Sequence, residues 1–200
     1  MAAQGAFARI SKLAEEAVSA LLRENKSVSA TESCTGGLIA SLLTDVEGAS
    51  EVFPGGFVTY SNAAKRTVGT DAEVISAEGV YSAACAEAMA RAAMRAFGTD
   101  FAVGVTGTLG RIDPANADSL PGEVFFCILR RSDVSISAQR QQEKSLPLEG
   151  KVAAKPTDEG SPAAAEAAVT ERLELDPSLP RPEAKLVVAE AVFTRLLALL

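Results

Sequence analysis

Three short blocks hold the side chains that could do chemistry in this chain. The first is Thr31-Glu32-Ser33-Cys34-Thr35-Gly36-Gly37, the second Gly56-Phe57-Val58-Thr59-Tyr60-Ser61-Asn62-Ala63-Ala64-Lys65, and the third Val103-Gly104-Val105-Thr106-Gly107-Thr108-Leu109-Gly110. In the first, a hydroxyl and a thiol stand just ahead of a glycine-rich helix start, where unpaired backbone N–H groups could stabilise an oxyanion or hold a phosphate. Ser33 and Thr35 are open to two roles there, nucleophile or helix N-cap, and capping is the commoner one. Cys34 is the rival nucleophile. With no base to form its thiolate in an apolar strand-end setting, a structural role suits it better.

In the second block Lys65 lies five residues beyond Tyr60, about one turn into a helix. A lysine half-buried at a strand-end crevice can lose enough charge to act as a general base, although most lysines are simply solvated. The glycines of the third block permit close backbone approach to a ligand. They fit neither a dinucleotide fingerprint nor a P-loop. Asp113 and Asp118, which follow, could ligate a metal or merely shape turns.

The chain has no histidine among its 200 residues. Ser-His-Asp triads, Cys-His pairs and His-ligated zinc are therefore excluded. Any proton shuttle must be Lys, Tyr, Asp, Glu or water.

The elements that must position these blocks alternate between strand and helix. Phe7, Ile10, Leu13, Ala14, Ala17, Leu21 and Leu22 predict an amphipathic first helix, and Ser27 to Thr31 a short strand leading through Thr35-Gly36-Gly37 into a helix from Leu38 to Leu43. Strands are predicted at Phe57 to Tyr60, Phe101 to Val105 and Val124 to Leu129, the last paired as a hairpin with Val134 to Ala138. Helices are predicted after Ser82, as an N-cap, and from Leu186 to Leu200. The segment from about 146 to 180 is proline-rich, carries an alanine run and lacks a strand pattern, so it is expected to be a long irregular insertion in one domain. The order of elements predicts an α/β fold, a three-layer α/β/α sandwich with a mixed sheet.

Composition narrows the function classes. Hydrophobic residues make up 48% of the chain, ample for one core, and a net charge of −7 argues against a nucleic-acid partner. The three cysteines, Cys34, Cys85 and Cys127, form no C-x-x-C pair and read as reduced thiols. No apolar run reaches the roughly 18 residues of a membrane helix. A cytoplasmic location without membrane partners is expected.

The three blocks, in this order and spacing, resemble the signature blocks of the CinA C-terminal family, over about Leu13 to Leu129 with a weaker echo in the last helix. Active members of that family deamidate nicotinamide mononucleotide to nicotinate mononucleotide and ammonia without metal or cofactor. The resemblance implies that Ser33 attacks the carboxamide, that Lys65 accepts its proton and that Tyr60 relays or orients. It implies a substrate site drawn from Thr35, Gly36, Gly37, Ser50, Asn62, Thr106 and Gly107. Two arginines four apart near the family's C-terminus would fall at Arg181 and Lys185, and the lysine offers a point charge where an arginine would be bidentate. The chain departs from the family again after Gly110, where Asp113-Pro114, Asn116 and Pro121-Gly122 replace its usual glycine-rich continuation. A small-molecule nucleotide as substrate and a homo-oligomeric state are expected. The alternatives are a non-catalytic nucleotide-binding or regulatory module and an amidase for another small amide.

Overall fold

The computed structural model describes residues 2–116, 119–132 and 166–200. A long amphipathic helix, α1 (Ala2–Glu24), leads into β1 (Val28–Glu32), whose five residues are all buried. There follow α2 (Leu38–Thr44), α3 (Ala49–Val52), β2 (Gly56–Val58), α4 (Asn62–Thr67), α5 (Ala72–Glu78) and α6 (Ala83–Phe97). The chain continues through β3 (Phe101–Gly107), β4 (Glu123–Arg131), β5 (Glu166–Glu174) and α7 (Arg181–Leu199).

The five strands form one mixed sheet in the order β2-β1-β3-β4-β5. The first three are parallel, and β4 and β5 run antiparallel to their neighbours. Every residue of β3 is buried, yet its side chains still alternate between two cores. Phe101, Val103 and Val105 join Ile10, Val18 and Leu21 of α1 and Val188, Val192 and Phe193 of α7 on one face. Ala102 joins Ala86, Ala90, Ala93 and Met94 of α6 on the other. The second interface is built from small residues because α6 lies almost on the sheet. A β-carbon at Gly104 would come within 2.0 Å of the Ala86 carbonyl oxygen, so this strand position accepts only glycine. Helices on both faces of a mixed sheet make the α/β/α sandwich predicted from the sequence.

One stretch differs from the sequence reading. The segment expected to be irregular as far as residue 180 contains β5, paired with β4 along all nine residues. As an edge strand it needs little apolar alternation. It carries Glu171, Arg172 and Glu174, charges that guard an open sheet edge, and Leu173 packs against the core. The hairpin partner predicted at Val134 to Ala138 lies outside the described residues, and β5 holds the place beside β4.

Candidate active site

The parallel strands β1, β2 and β3 all end at one edge of the sheet, and the loops beyond those carboxyl ends build a cleft, as open α/β sheets do. Ser33 is the first residue past β1, its N–H bonded to the Val105 carbonyl of β3 at 3.0 Å. The chain then doubles back, with Gly36 N–H donating to the Ser33 carbonyl at 3.1 Å. Gly36 and Gly37 have φ of 65° and 94°, left-handed values that glycine adopts without strain.

Neither Ser33 nor Thr35 caps α2. The N-cap residue is Gly37, and the cap comes from Glu32, whose buried carboxylate accepts from the N–H groups of Gly37, Ile39 and Ala40 at 2.9, 3.2 and 2.8 Å. Three of the amides expected to be open to a ligand, those of Gly37, Ile39 and Ala40, are thus already occupied by the protein's own anion.

Lys65 reaches the same point from α4, a helix capped by the Ser61 hydroxyl. It is 2% exposed and stands among the largest of the fully buried side chains. Its Nζ donates to Ser33 Oγ at 2.9 Å and to the Thr59 carbonyl at 3.0 Å. Burial pushes the lysine below its usual range, and the nearby Asp113 carboxylate pulls it partly back up. Burial acts on Cys34 in the opposite sense and drives its thiol up to about 12. A serine hydroxyl against a lysine that gives up its proton easily can therefore act as nucleophile and base, whereas the adjacent thiol stays protonated.

The cleft above this pair has a volume of about 630 Å3. Ser33, Cys34 and Lys65 line its floor, and Tyr60, Asn62, Gly107 and Arg181 line its sides. Tyr60 is exposed and its hydroxyl accepts from the Arg181 guanidinium at 2.9 Å. The far wall is the loop after β3. Its Asp113 accepts from the Tyr81 hydroxyl and the Asn116 amide, each at 2.6 Å, and from the Ala115 N–H at 3.0 Å. Those hydrogen bonds hold its carboxyl below the usual carboxylate range. Asn62 of α4 donates to Asn116 Oδ1 at 3.2 Å, tying this wall to the helix that carries Lys65.

A profile described as the CinA C-terminal domain matches residues 10–149. The chain belongs to this family. Among curated relatives it is 46% identical over 105 residues to a CinA-like protein of Mycolicibacterium gilvum, covering 52% of this chain and 25% of that protein. It is 41% identical over 128 residues to a CinA-like protein of Geobacter sulfurreducens, covering 63% of this chain and 31% of the relative. The chain thus spans a quarter to a third of the length of these relatives. The crystal structure of the competence/damage inducible protein CihA from Agrobacterium tumefaciens superposes with a TM-score of 0.72 at 27% identity, covering 95% of this chain and 94% of the other. A CinA superfamily protein from Escherichia coli, at 19% identity and a TM-score of 0.71, covers 96% of this chain and 90% of its own and shares the fold.

Of the residues carried over from the CinA blocks, Ser33, Tyr60, Asn62, Lys65, Gly107 and Arg181 meet in the cleft. Six others do not line it. Thr35 is fully buried, with its hydroxyl unpartnered. Gly36 and Gly37 shape the turn, and the Gly37 N–H is held by Glu32. Thr106 faces the α6 side and donates to the Val80 carbonyl at 2.7 Å. Ser50 is exposed on α3, which packs against α1 and α2. Lys185 packs over the turn instead, its amine 3.0 Å from where a Gly36 β-carbon would stand, so it does not pair with Arg181 in the cleft.

The sequence reading gave no role in the site to Tyr81, Arg111, Asn116 or the Glu32 carboxylate. One clue was available. The chain has only two tyrosines, and both line this cleft. Asp118, the second acid considered as a metal ligand, lies outside the described residues. Among those described, no group of three or more Cys, Asp or Glu side chains could hold a metal ion. No described helix is long and apolar enough to cross a membrane.

Proposed function

We propose that this chain is an amidohydrolase that deamidates nicotinamide mononucleotide to nicotinate mononucleotide and ammonia through Ser33 and Lys65. The observation that carries the reading is the 2.9 Å contact between Lys65 Nζ and Ser33 Oγ on the floor of the cleft, in a chain that has no histidine to serve as base. The family's activity supplies the substrate. A cleft of about 630 Å3 suits a mononucleotide, and Arg181 and Arg111 on its walls suit the phosphate.

Neutral Lys65 keeps one N–H on the Thr59 carbonyl and takes the Ser33 proton on its lone pair. Ser33 Oγ bonds to the carboxamide carbon, giving a tetrahedral intermediate. On collapse the C–N bond breaks, and the leaving nitrogen receives the proton from the Lys65 ammonium and departs as ammonia. Water then attacks the acyl-serine ester, with Lys65 again accepting a proton and returning it to Ser33. Burial favours the neutral amine that this step uses. Tyr60 and Arg181, paired across the mouth, would orient the substrate.

Ammonia release from nicotinamide mononucleotide by the purified protein tests this reading. Turnover by wild type and its loss in Ser33→Ala are expected. A wild type that binds the nucleotide and releases no ammonia overturns it in favour of a binding module.

A further inference from the structure

We infer that Glu32 is a positioning residue that holds both members of the Ser33–Lys65 pair in register. The inference rests on the amidase reading for its kinetic part only. Glu32 is the last residue of a fully buried strand and is itself 1% exposed. A carboxylate in such a place is costly unless its charge is met. Here the three N–H groups at the start of α2 meet it, and among the described residues no lysine or arginine forms a salt bridge with it.

An ordinary cap would come from the N-cap side chain, but that position is the left-handed Gly37, which has none. Capping from the strand instead ties the end of β1 to the first turn of α2. Ser33 sits inside the loop so closed, between its N–H bond to Val105 and the bond from Gly36 to its carbonyl.

The main chain of Glu32 holds the other partner. Its carbonyl accepts from the Thr59 N–H at 2.8 Å and from the Thr59 hydroxyl at 3.4 Å. The Thr59 carbonyl in turn accepts from Lys65 Nζ at 3.0 Å. One residue therefore anchors the nucleophile through its side chain and the support of the base through its backbone. Loosening the side-chain clamp lets the Ser33 turn drift relative to Lys65, while the outer walls of the cleft, built from Tyr60, Asn62, Asp113 and Arg181, stay in place. Misplacing reacting groups by about 1 Å can cost on the order of 100-fold in rate.

The test compares wild type, Glu32→Gln and Glu32→Ala by ammonia release from nicotinamide mononucleotide and by amide hydrogen exchange. Glu32→Gln keeps the shape but sets an NH2 group against one of the three donors. Its kcat is expected to fall about 10- to 100-fold with KM within about threefold, and Glu32→Ala should fall further. Exchange at Gly37, Ile39 and Ala40 should quicken at least tenfold in Glu32→Gln while β1 and β3 stay protected. A kcat within twofold of wild type in either variant, or a rise in KM at constant kcat, overturns the inference. So does wild-type exchange at those three amides as fast as at a frayed helix end, a result that needs no variant to fold. A wild type that releases no ammonia brings down the amidase reading, and the clamp is then judged by exchange alone.

Discussion

The two sides of the cleft are built to opposite rules. On the floor, Ser33, Cys34 and Lys65 are each at most 5% exposed. On the walls, Tyr60 is 66% and Ile112 56% exposed, and Arg111 and Arg181 are open to solvent. The difference separates two tasks. A lysine serves as a base only where burial makes its charge expensive, whereas an anionic ligand is met by charges that can reach out to it. The floor should therefore govern kcat and the walls KM.

The largest effects should come from the floor. Ser33→Ala and Lys65→Ala are each expected to lower kcat by about 10³-fold or more with nucleotide binding retained, and the double variant should be little worse than either single one. Steady-state kinetics of the four proteins checks this. Additive losses would mean that the two residues do not act as a unit.

The next effect is in pH dependence. In the proposed mechanism Lys65 acts as the neutral amine, so kcat/KM should fall tenfold per unit as pH drops through its pKa, which burial places below that of a free lysine. Asp113 favours the ammonium form, so Asp113→Asn should lower that pKa and move the acid limb to lower pH. A pH profile that shifts upward, or not at all, would show that the far wall has no electrostatic hold on the base.

The walls should give smaller changes. Arg181→Ala and Arg111→Ala are each expected to raise KM for the nucleotide about tenfold at nearly constant kcat, more at low salt than at high. The substrate without its phosphate should be insensitive to both. A fall in kcat with unchanged KM would place these arginines in the chemistry instead.

The same contrast explains what could be read before the structure. Strands β1, β3 and β4 and the helices around them follow from hydrophobic periodicity, because they bury their faces. Ser33, Lys65 and Tyr60 stand in strand-end blocks, where local pattern and family resemblance agree. The misses are non-local. The Glu32 cap spans five to eight residues and reverses the ordinary capping pattern, and Lys185 is placed by the packing of α7 over the Gly36 turn. β5 is a charged edge strand next to an alanine run, so its pairing with β4, rather than its own pattern, makes it a strand.

The smallest effect should come from Cys34, and it sharpens the comparison because this thiol lines the floor beside Ser33. Position alone would make it an equal candidate for nucleophile. Its surroundings argue otherwise. The thiol is 3% exposed, and burial raises it to about 12, so it stays protonated at neutral pH. Lys65 does not reverse this, because the amine is already engaged with Ser33 Oγ and the Thr59 carbonyl. Cys34→Ala should therefore keep kcat within about threefold and lose roughly 1 kcal/mol of stability, the usual scale for a small buried truncation. Iodoacetamide should alkylate the native protein at Cys34 far more slowly than the unfolded chain. The decisive readings are kcat for Cys34→Ala and Ser33→Ala on the same substrate, with thermal unfolding of both. If the alanine at 34 abolished turnover in a folded protein while the alanine at 33 did not, burial would not be what chooses the nucleophile on this floor, and the thiol would take the role assigned to the serine.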